Sequence, residues 1–176
     1  MNRRDVYRFG TIVLGNAVAL ALAVPGVAYV LDPLRKSSKP GGFHKLAKLS
    51  ELTVGEPRSY AVIDERQDAW VKYPREPVGS VWLVRQPAGA PAPVVAFTSE
   101  CPHLGCAVNL TTTAKGKEFL CPCHTSAFNF KGEPLNSIPP RGMDTLDVEL
   151  SKDDDPTIAV KFQRFRTQEK EKTPLA

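Results

Sequence analysis

Two short segments of this sequence combine cysteine and histidine at similar spacing. The first reads Cys101-Pro-His103-Leu-Gly-Cys106 and the second Cys121-Pro-Cys123-His124-Thr-Ser126. Together they hold all four cysteines of the chain and two of its three histidines. Thiolate and imidazole ligands suit zinc or iron–sulfur chemistry. Because each segment offers both ligand types, the two segments can converge on one metal site of either kind.

The double motif resembles that of the Rieske iron–sulfur family, which is Cys-x-His-x-Gly-Cys followed after a spacer by Cys-x-Cys-His-x-Ser. The matched positions are Cys101, His103, Gly105, Cys106, Cys121, Cys123, His124 and Ser126. In a Rieske centre two cysteines hold one iron of a 2Fe-2S cluster and two histidines hold the other. The resemblance implies one such cluster, with Cys101 and Cys121 on one iron and His103 and His124 on the other. It also implies that a disulfide between Cys106 and Cys123 joins the two loops.

Two other arrangements use the same residues. A zinc site formed by the four candidate ligands would leave Cys106 and Cys123 unexplained. Two plain disulfides would leave both histidines without a role. The third histidine, His44, lies near the start of the head and is expected to be a surface residue and not a ligand.

Residues beside the ligands are expected to tune and cover the cluster. By resemblance, Ser126 donates a hydrogen bond to a bridging sulfide. Many high-potential members carry tyrosine where this chain has Phe128, which cannot donate, so we expect a lower potential and a menaquinol-type chain. Leu104 matches a residue that shields the cluster. Pro139 and Pro140 match a proline-rich loop that covers it.

An uncharged apolar segment, residues 9–31, predicts a membrane anchor. As a helix it would be roughly 34 Å long, enough for a hydrocarbon core of about 30 Å. It exceeds the apolar region of roughly 7–15 residues found in cleaved secretory signals, so a retained single-pass anchor is expected. Residues 1–8 include the adjacent Arg3 and Arg4, which resemble a twin-arginine export signal or form an ordinary positive flank. Either interpretation leaves the N-terminus in the cytoplasm and the head on the outer side of the cytoplasmic membrane.

The rest of the chain predicts a tether followed by a β-rich head. Residues 32–45 contain serine and glycine pairs and are expected to form a flexible hinge. Short strand-like runs then alternate with proline and glycine, which is typical of an antiparallel β-sandwich or barrel. The runs are residues 80–85, 94–98, 117–120, 145–150 and 157–162. The resemblance implies a Rieske-type β-sandwich head over residues 46–165, with a small cluster-binding part at about 98–141, and residues 166–176 form a charged tail.

Composition excludes several functions. A net charge of +4 over 176 residues is too small for a protein that binds nucleic acid by neutralising phosphates. The chain is also too short for a barrel enzyme of about 250 residues. A Rieske oxygenase needs a further iron site with two histidines and a carboxylate, and His44 is the only spare histidine.

The remaining resemblance is to the anchored subunit of a cytochrome bc-type quinol:cytochrome c reductase. It implies a redox carrier within a membrane complex that takes an electron and a proton from quinol and passes the electron to a c-type cytochrome. His124 is expected to contact quinol and accept its proton. The implied partners are a cytochrome b-type subunit, the c-type cytochrome and the bilayer, in a dimeric complex. An alternative function is that of the small Rieske subunit of arsenite oxidase. The alternative without redox chemistry is a structural zinc protein.

Overall fold

The computed structural model describes residues 2–35, 42–65, 67–68, 70–114 and 116–175. The chain divides into two compact units. One contains the N-terminal helix and the segment Glu65–Pro74. The other, the head, contains Lys39–Asp64 and Arg75–Ala176.

A single long helix, α1 (Arg3–Arg35), contains the predicted anchor. Its 33 residues give a length of about 50 Å. The stretch Arg3–Leu34 is long and apolar enough to cross a membrane, and none of it is buried within the described structure. Exposed apolar side chains along such a helix need lipid or another apolar partner.

The helix also changes the limits of the predicted hinge. Residues 32–35 belong to α1, and strand β1 (Phe43–Lys48) already includes residues 43–45. Residues 36–41 of the hinge lie outside the described residues. His44 was expected at the surface, but it lies in β1 of the head with its side chain only 17% exposed, and its Nε2 atom is 3.6 Å from a carboxylate oxygen of Asp64.

A short hairpin accompanies the helix in the first unit. Its strands are β3 (Gln67–Asp68) and β4 (Val71–Lys72), which pair antiparallel. The hairpin is inserted between two long strands of the head, β2 (Pro57–Asp64) and β5 (Glu76–Arg85).

The described part of the head contains one six-stranded antiparallel sheet. Its order is β1, β11 (Thr157–Lys161), β10 (Thr145–Leu150), β6 (Val94–Thr98), β5 and β2. Alternating buried and partly exposed positions in β11 are what a strand with one face on a core requires. Val62, Val81, Leu83, Ile158 and Val160 are fully buried in that core. The predicted antiparallel β head is confirmed.

A smaller three-stranded sheet carries the cysteine loops. It consists of β7 (Asn109–Thr113), β8 (Gly116–Leu120) and β9 (Ala127–Phe128), in that order. Cys101 and Cys121 are buried in the same apolar cluster as Phe97, Phe119 and Phe128. This second core therefore contains the first cysteine of each loop, and it is separate from the core of the large sheet.

Candidate metal centre

The first cysteine loop, residues 101–106, lies between β6 and β7. The Cys101 N–H donates to the Cys106 carbonyl at 2.8 Å, and the Gly105 N–H donates to the Cys101 carbonyl at 2.8 Å. Gly105 has a φ of +78°, in the left-handed region that glycine adopts without steric cost. The glycine of the motif therefore closes the turn that brings Cys106 back beside Cys101.

The second loop, residues 121–126, lies between β8 and β9 and closes in the same way. The Cys121 N–H donates to the Ser126 carbonyl at 2.8 Å, the same five-residue offset as in the first loop. Thr125, at the unspecified position between His124 and Ser126 of the second motif, adopts a φ of +58°. A β-branched residue is strained there. Its hydroxyl donates to the His124 carbonyl at 2.7 Å.

The two loops meet through their cysteines and histidines. Cys106 and Cys123 form the disulfide. The His103 and His124 rings contact each other edge to face, with centroids 4.9 Å apart. Cys101 and Cys121 are free thiols, both buried. The sulfur atoms of Cys106, Cys121 and Cys123 lie within 4.8 Å of one another, so the disulfide is adjacent to one of the two free thiols.

Two polar side-chain atoms in this region are buried without a hydrogen-bond partner, and a third group, the Cys101 thiol, is buried in apolar surroundings. Within the described part of the chain, Nδ1 of His103 and Oγ of Ser126 have no hydrogen-bond partner. Burial raises the pKa of the Cys101 thiol, which means that the apolar surroundings disfavour a thiolate in the absence of a cation. Buried polar atoms are normally paired. A metal group that binds thiolate and imidazole and accepts a hydrogen bond from Ser126 fits all three.

The comparison with known families decides the class of metal group. The family model for the Rieske [2Fe-2S] domain matches residues 42–147, which is more than half of the 176 residues. This chain belongs to the Rieske 2Fe-2S family. The 2Fe-2S cofactor and the Rieske fold class predicted above are therefore confirmed.

Curated Rieske relatives come from several kinds of complex. The chain is 29% identical over 141 residues to the menaquinol:cytochrome c reductase iron-sulfur subunit of Bacillus subtilis, covering 80% of each chain. It is 26% identical to the cytochrome b6-f complex iron-sulfur subunit of Chlorobaculum thiosulfatiphilum, covering 72% of this chain and 59% of that one. It is 30% identical to iodate reductase subunit IdrB of Denitromonas iodatirespirans, covering 72% of this chain and 65% of the relative.

A solved Rieske structure is also similar in sequence. The plasma membrane Rieske protein PetC3 of Synechocystis shares 33% identity, and the match covers 49% of this chain and 81% of that one with a TM-score of 0.37.

Phe128, whose residue type motivated the low-potential prediction, is fully buried in β9. It belongs to the apolar cluster that contains Cys101 and Cys121, and its backbone pairs with Phe119 in β8. The side chain at this position therefore packs under the Rieske loops, where a hydroxyl would be shielded from water.

The residues predicted to cover the cluster differ in their exposure to solvent. Leu104 is exposed. Pro139 is buried and Pro140 is partly exposed. Sequence reasoning missed Asn136, whose side-chain amide donates to the Thr125 carbonyl at 2.7 Å and so attaches the proline-rich loop to the second cysteine loop. Its position directly before Ser-Ile-Pro-Pro was the available signal.

The C-terminal segment supports the first cysteine loop, which the sequence did not predict. The Gln168 N–H donates to the carbonyl of Pro102, between Cys101 and His103.

Arg141 forms a buried ion pair with Asp144 at 2.7 Å, and the same guanidinium donates to the carbonyls of Arg166 and Glu169. Residues 164–175 also bond to each other, through Arg166 N–H to Thr173 and Leu175 N–H to Arg164. The predicted charged tail thus folds back against the Rieske loops.

Proposed function

We propose that this chain is the membrane-anchored, electron-carrying subunit of a quinol:cytochrome c reductase. It takes an electron and a proton from quinol and passes the electron to a c-type cytochrome. The observation that carries this proposal is the exposed imidazole of His124. Its ring contacts the His103 ring, and the same two loops contain the buried thiols of Cys101 and Cys121. A redox site whose outer ligand is a surface imidazole can meet a hydroxyl-bearing substrate directly.

We assign the cluster ligands as Cys101 and Cys121 on one iron and His103 and His124 on the other. When bound, the cluster supplies a one-electron acceptor with a potential in the Rieske range of roughly −150 to +300 mV. The buried, unpaired Nδ1 of His103 supports Nδ1 as the iron-binding nitrogen. The same assignment at His124 leaves its Nε2 at the surface, where the deprotonated imidazolate form of the bound ligand would accept a hydrogen bond from quinol and then its proton.

The surrounding residues exclude water and orient the site. Leu104 contributes an exposed apolar surface next to the ligands, and the loop with Pro139 and Pro140 is held to Thr125 by Asn136. The buried hydroxyl of Ser126 would donate a hydrogen bond to the cluster when the cluster is bound. The disulfide between Cys106 and Cys123 holds the two loops together when the head docks on a partner.

The disulfide and the helix together support a location of the head outside the cytoplasm. Disulfides persist outside the reducing cytoplasm, and α1 is long and apolar enough to cross a membrane. We therefore place the N-terminus in the cytoplasm and the head on the outer side of the cytoplasmic membrane. A cytochrome b-type subunit supplies the quinol site there, a c-type cytochrome receives the electron, and the complex is dimeric.

Menaquinol is the quinol that we favour. Phe128 cannot donate a hydrogen bond to a ligand sulfur, which lowers the potential, and menaquinol is itself a low-potential donor. The Bacillus subtilis relative is named for menaquinol. We expect a midpoint below about +200 mV, within the Rieske range.

A second host remains a candidate because one relative belongs to iodate reductase. In that case, or in the arsenite oxidase alternative, the chain would exchange electrons with a different catalytic subunit. The proteins that purify with the chain distinguish the two candidates: cytochromes b and c support the first, and an oxyanion-converting catalytic subunit supports the second.

An EPR-monitored redox titration of the complex purified from its native membranes tests the proposal. We expect a Rieske signal below about +200 mV and quinol-dependent reduction of cytochrome c. His124→Gln is expected to abolish both, whereas His44→Gln, a matched change outside the loops, leaves both intact. Zinc without an EPR signal, or full cytochrome c reduction by His124→Gln, would overturn the proposal.

A further inference from the structure

A proline near the end of α1 leaves one backbone carbonyl without its usual donor. In an α-helix the carbonyl of residue 29 accepts from the N–H of residue 33. Residue 33 is Pro33, inside the helix, and proline has no N–H. The carbonyl of Tyr29 lies close to the end of the apolar run 9–31. A carbonyl without a partner at the edge of a hydrocarbon layer is unfavourable.

Trp70 supplies the missing donor from a distant part of the sequence. Its indole N–H donates to the Tyr29 carbonyl at 2.9 Å. The Trp70 ring also stacks on the Tyr29 ring, with centroids 5.5 Å apart and planes 16° from parallel. Trp70 lies between β3 and β4 of the hairpin, so both contacts attach the hairpin to the helix at this level.

The surface around this contact is apolar and uncovered. Trp70 is 50% exposed, Val71 54% and Tyr29 64%. Lys72, next to Val71, is exposed as well. Tryptophan and tyrosine concentrate at the lipid–water boundary because an apolar ring carries a polar N–H or hydroxyl. Lysine next to them suits the headgroup layer.

We propose that the hairpin formed by β3, Trp70 and β4 is an interfacial membrane element. Trp70 caps the anchor helix at the carbonyl that Pro33 leaves open, and Trp70, Tyr29 and Val71 lie in the outer lipid–water boundary. The occupant of this apolar surface is lipid, because the surface is continuous with the end of the anchor helix. This inference rests on the membrane anchor of the proposed function.

Depth-dependent fluorescence quenching in proteoliposomes tests the inference. The chain has two tryptophans, so full-length, cluster-loaded Trp82→Phe reports on Trp70 alone. The matched variant Trp70→Phe reports on Trp82, whose indole donates to the Val108 carbonyl inside the head. The vesicles contain phosphatidylcholine with bromine placed either near the headgroup or deep in the acyl chain.

We expect at least twofold quenching of Trp70 by the shallow bromines, less by the deep ones, and little quenching of Trp82 by either. Equal bromine quenching of the two tryptophans would overturn the inference. So would a Trp70 that neither bromolipid nor aqueous acrylamide quenches, because protein would then cover it. If Trp82→Phe loses its cluster, the difference between wild type and Trp70→Phe gives the same signal.

Carbonate extraction distinguishes a failure of the hairpin inference from a failure of the anchored-subunit proposal. A chain that carbonate removes from the vesicles has no membrane anchor, and both the hairpin inference and the anchored-subunit proposal fail. A chain that stays in the membrane with an unquenched Trp70 contradicts the hairpin inference alone.

Discussion

The hydroxyl of Ser126 offers a direct test of how the protein sets the potential of its cluster. Ser126 is fully buried, and its Oγ has no hydrogen-bond partner among the described residues. If it donates to a bridging sulfide, the bond is stronger when the cluster carries the added electron. Ser126→Ala is then expected to destabilise the reduced cluster more than the oxidised cluster, which lowers the midpoint potential.

The size of the shift follows from the burial of the hydroxyl. Hydrogen bonds to charged groups contribute about 1.5–3 kcal/mol, and the part that differs between redox states is about 1–2 kcal/mol when water does not compensate. For a one-electron couple, 59 mV is a tenfold change in equilibrium constant, so the midpoint falls by about 40–90 mV.

The assay is an EPR-monitored redox titration of the purified complex, with cluster content measured in parallel. Ser80→Ala is the matched control, because Ser80 is a partly buried serine of β5 whose hydroxyl pairs with that of Ser99 at 2.5 Å. We expect no shift for Ser80→Ala. A Ser126→Ala midpoint within about 15 mV of wild type, with full cluster content, would refute the reasoning, because about 0.3 kcal/mol is too little for a buried hydrogen bond of this kind.

Four further changes test other parts of the site. Phe128→Tyr adds a shielded hydroxyl beside the loops and is expected to raise the midpoint by about 40 mV, with Phe97→Tyr in the same core as control; a lower midpoint would contradict this. Thr125→Gly relieves a positive φ and is expected to raise the free energy of unfolding by about 1 kcal/mol in guanidinium titrations; a decrease would show that the threonine hydroxyl contact matters more. Replacing Cys106 and Cys123 together by alanine removes a cross-link that contributes about 3 kcal/mol, so visible absorbance of the cluster should disappear at lower temperature. Arg141→Met leaves Asp144 buried without its cation and is expected to lower the free energy of unfolding by about 3 kcal/mol, whereas the exposed Arg166→Met changes it little.

The conformation of the two cysteine loops was largely predictable because the hydrogen bonds that close them are local. Each cysteine loop closes through hydrogen bonds among residues within five positions of each other, and Gly105 takes the positive φ that its turn requires. The spacing of cysteine and histidine therefore determines which side chains each loop presents. Resemblance to the Rieske pattern then supplied the pairing of Cys106 with Cys123, which the structure confirms.

The supports of the site were not predictable in the same way. Arg141 contacts carbonyls 25 and 28 residues away, and Asn136 bonds to a carbonyl 11 residues away. These bonds go to backbone atoms, and every residue has a carbonyl, so no residue type at a fixed spacing marks the partner. A charged segment such as residues 166–176 is typical of a solvated tail until the fold provides a buried guanidinium to hold it.

The sequence by itself determined the apolar helix and the two cysteine loops with the side chains that they carry, because these depend on composition and on contacts between near neighbours. Only the tertiary structure decided which distant groups complete them. Pro33 opens a carbonyl on α1, but its donor Trp70 lies 41 residues from Tyr29, and the Gln168 N–H reaches Pro102 only because the tail folds back. A chain leaves such backbone groups unpaired until folding brings a donor to them, and their pairing therefore depends on the whole fold and not on the local pattern.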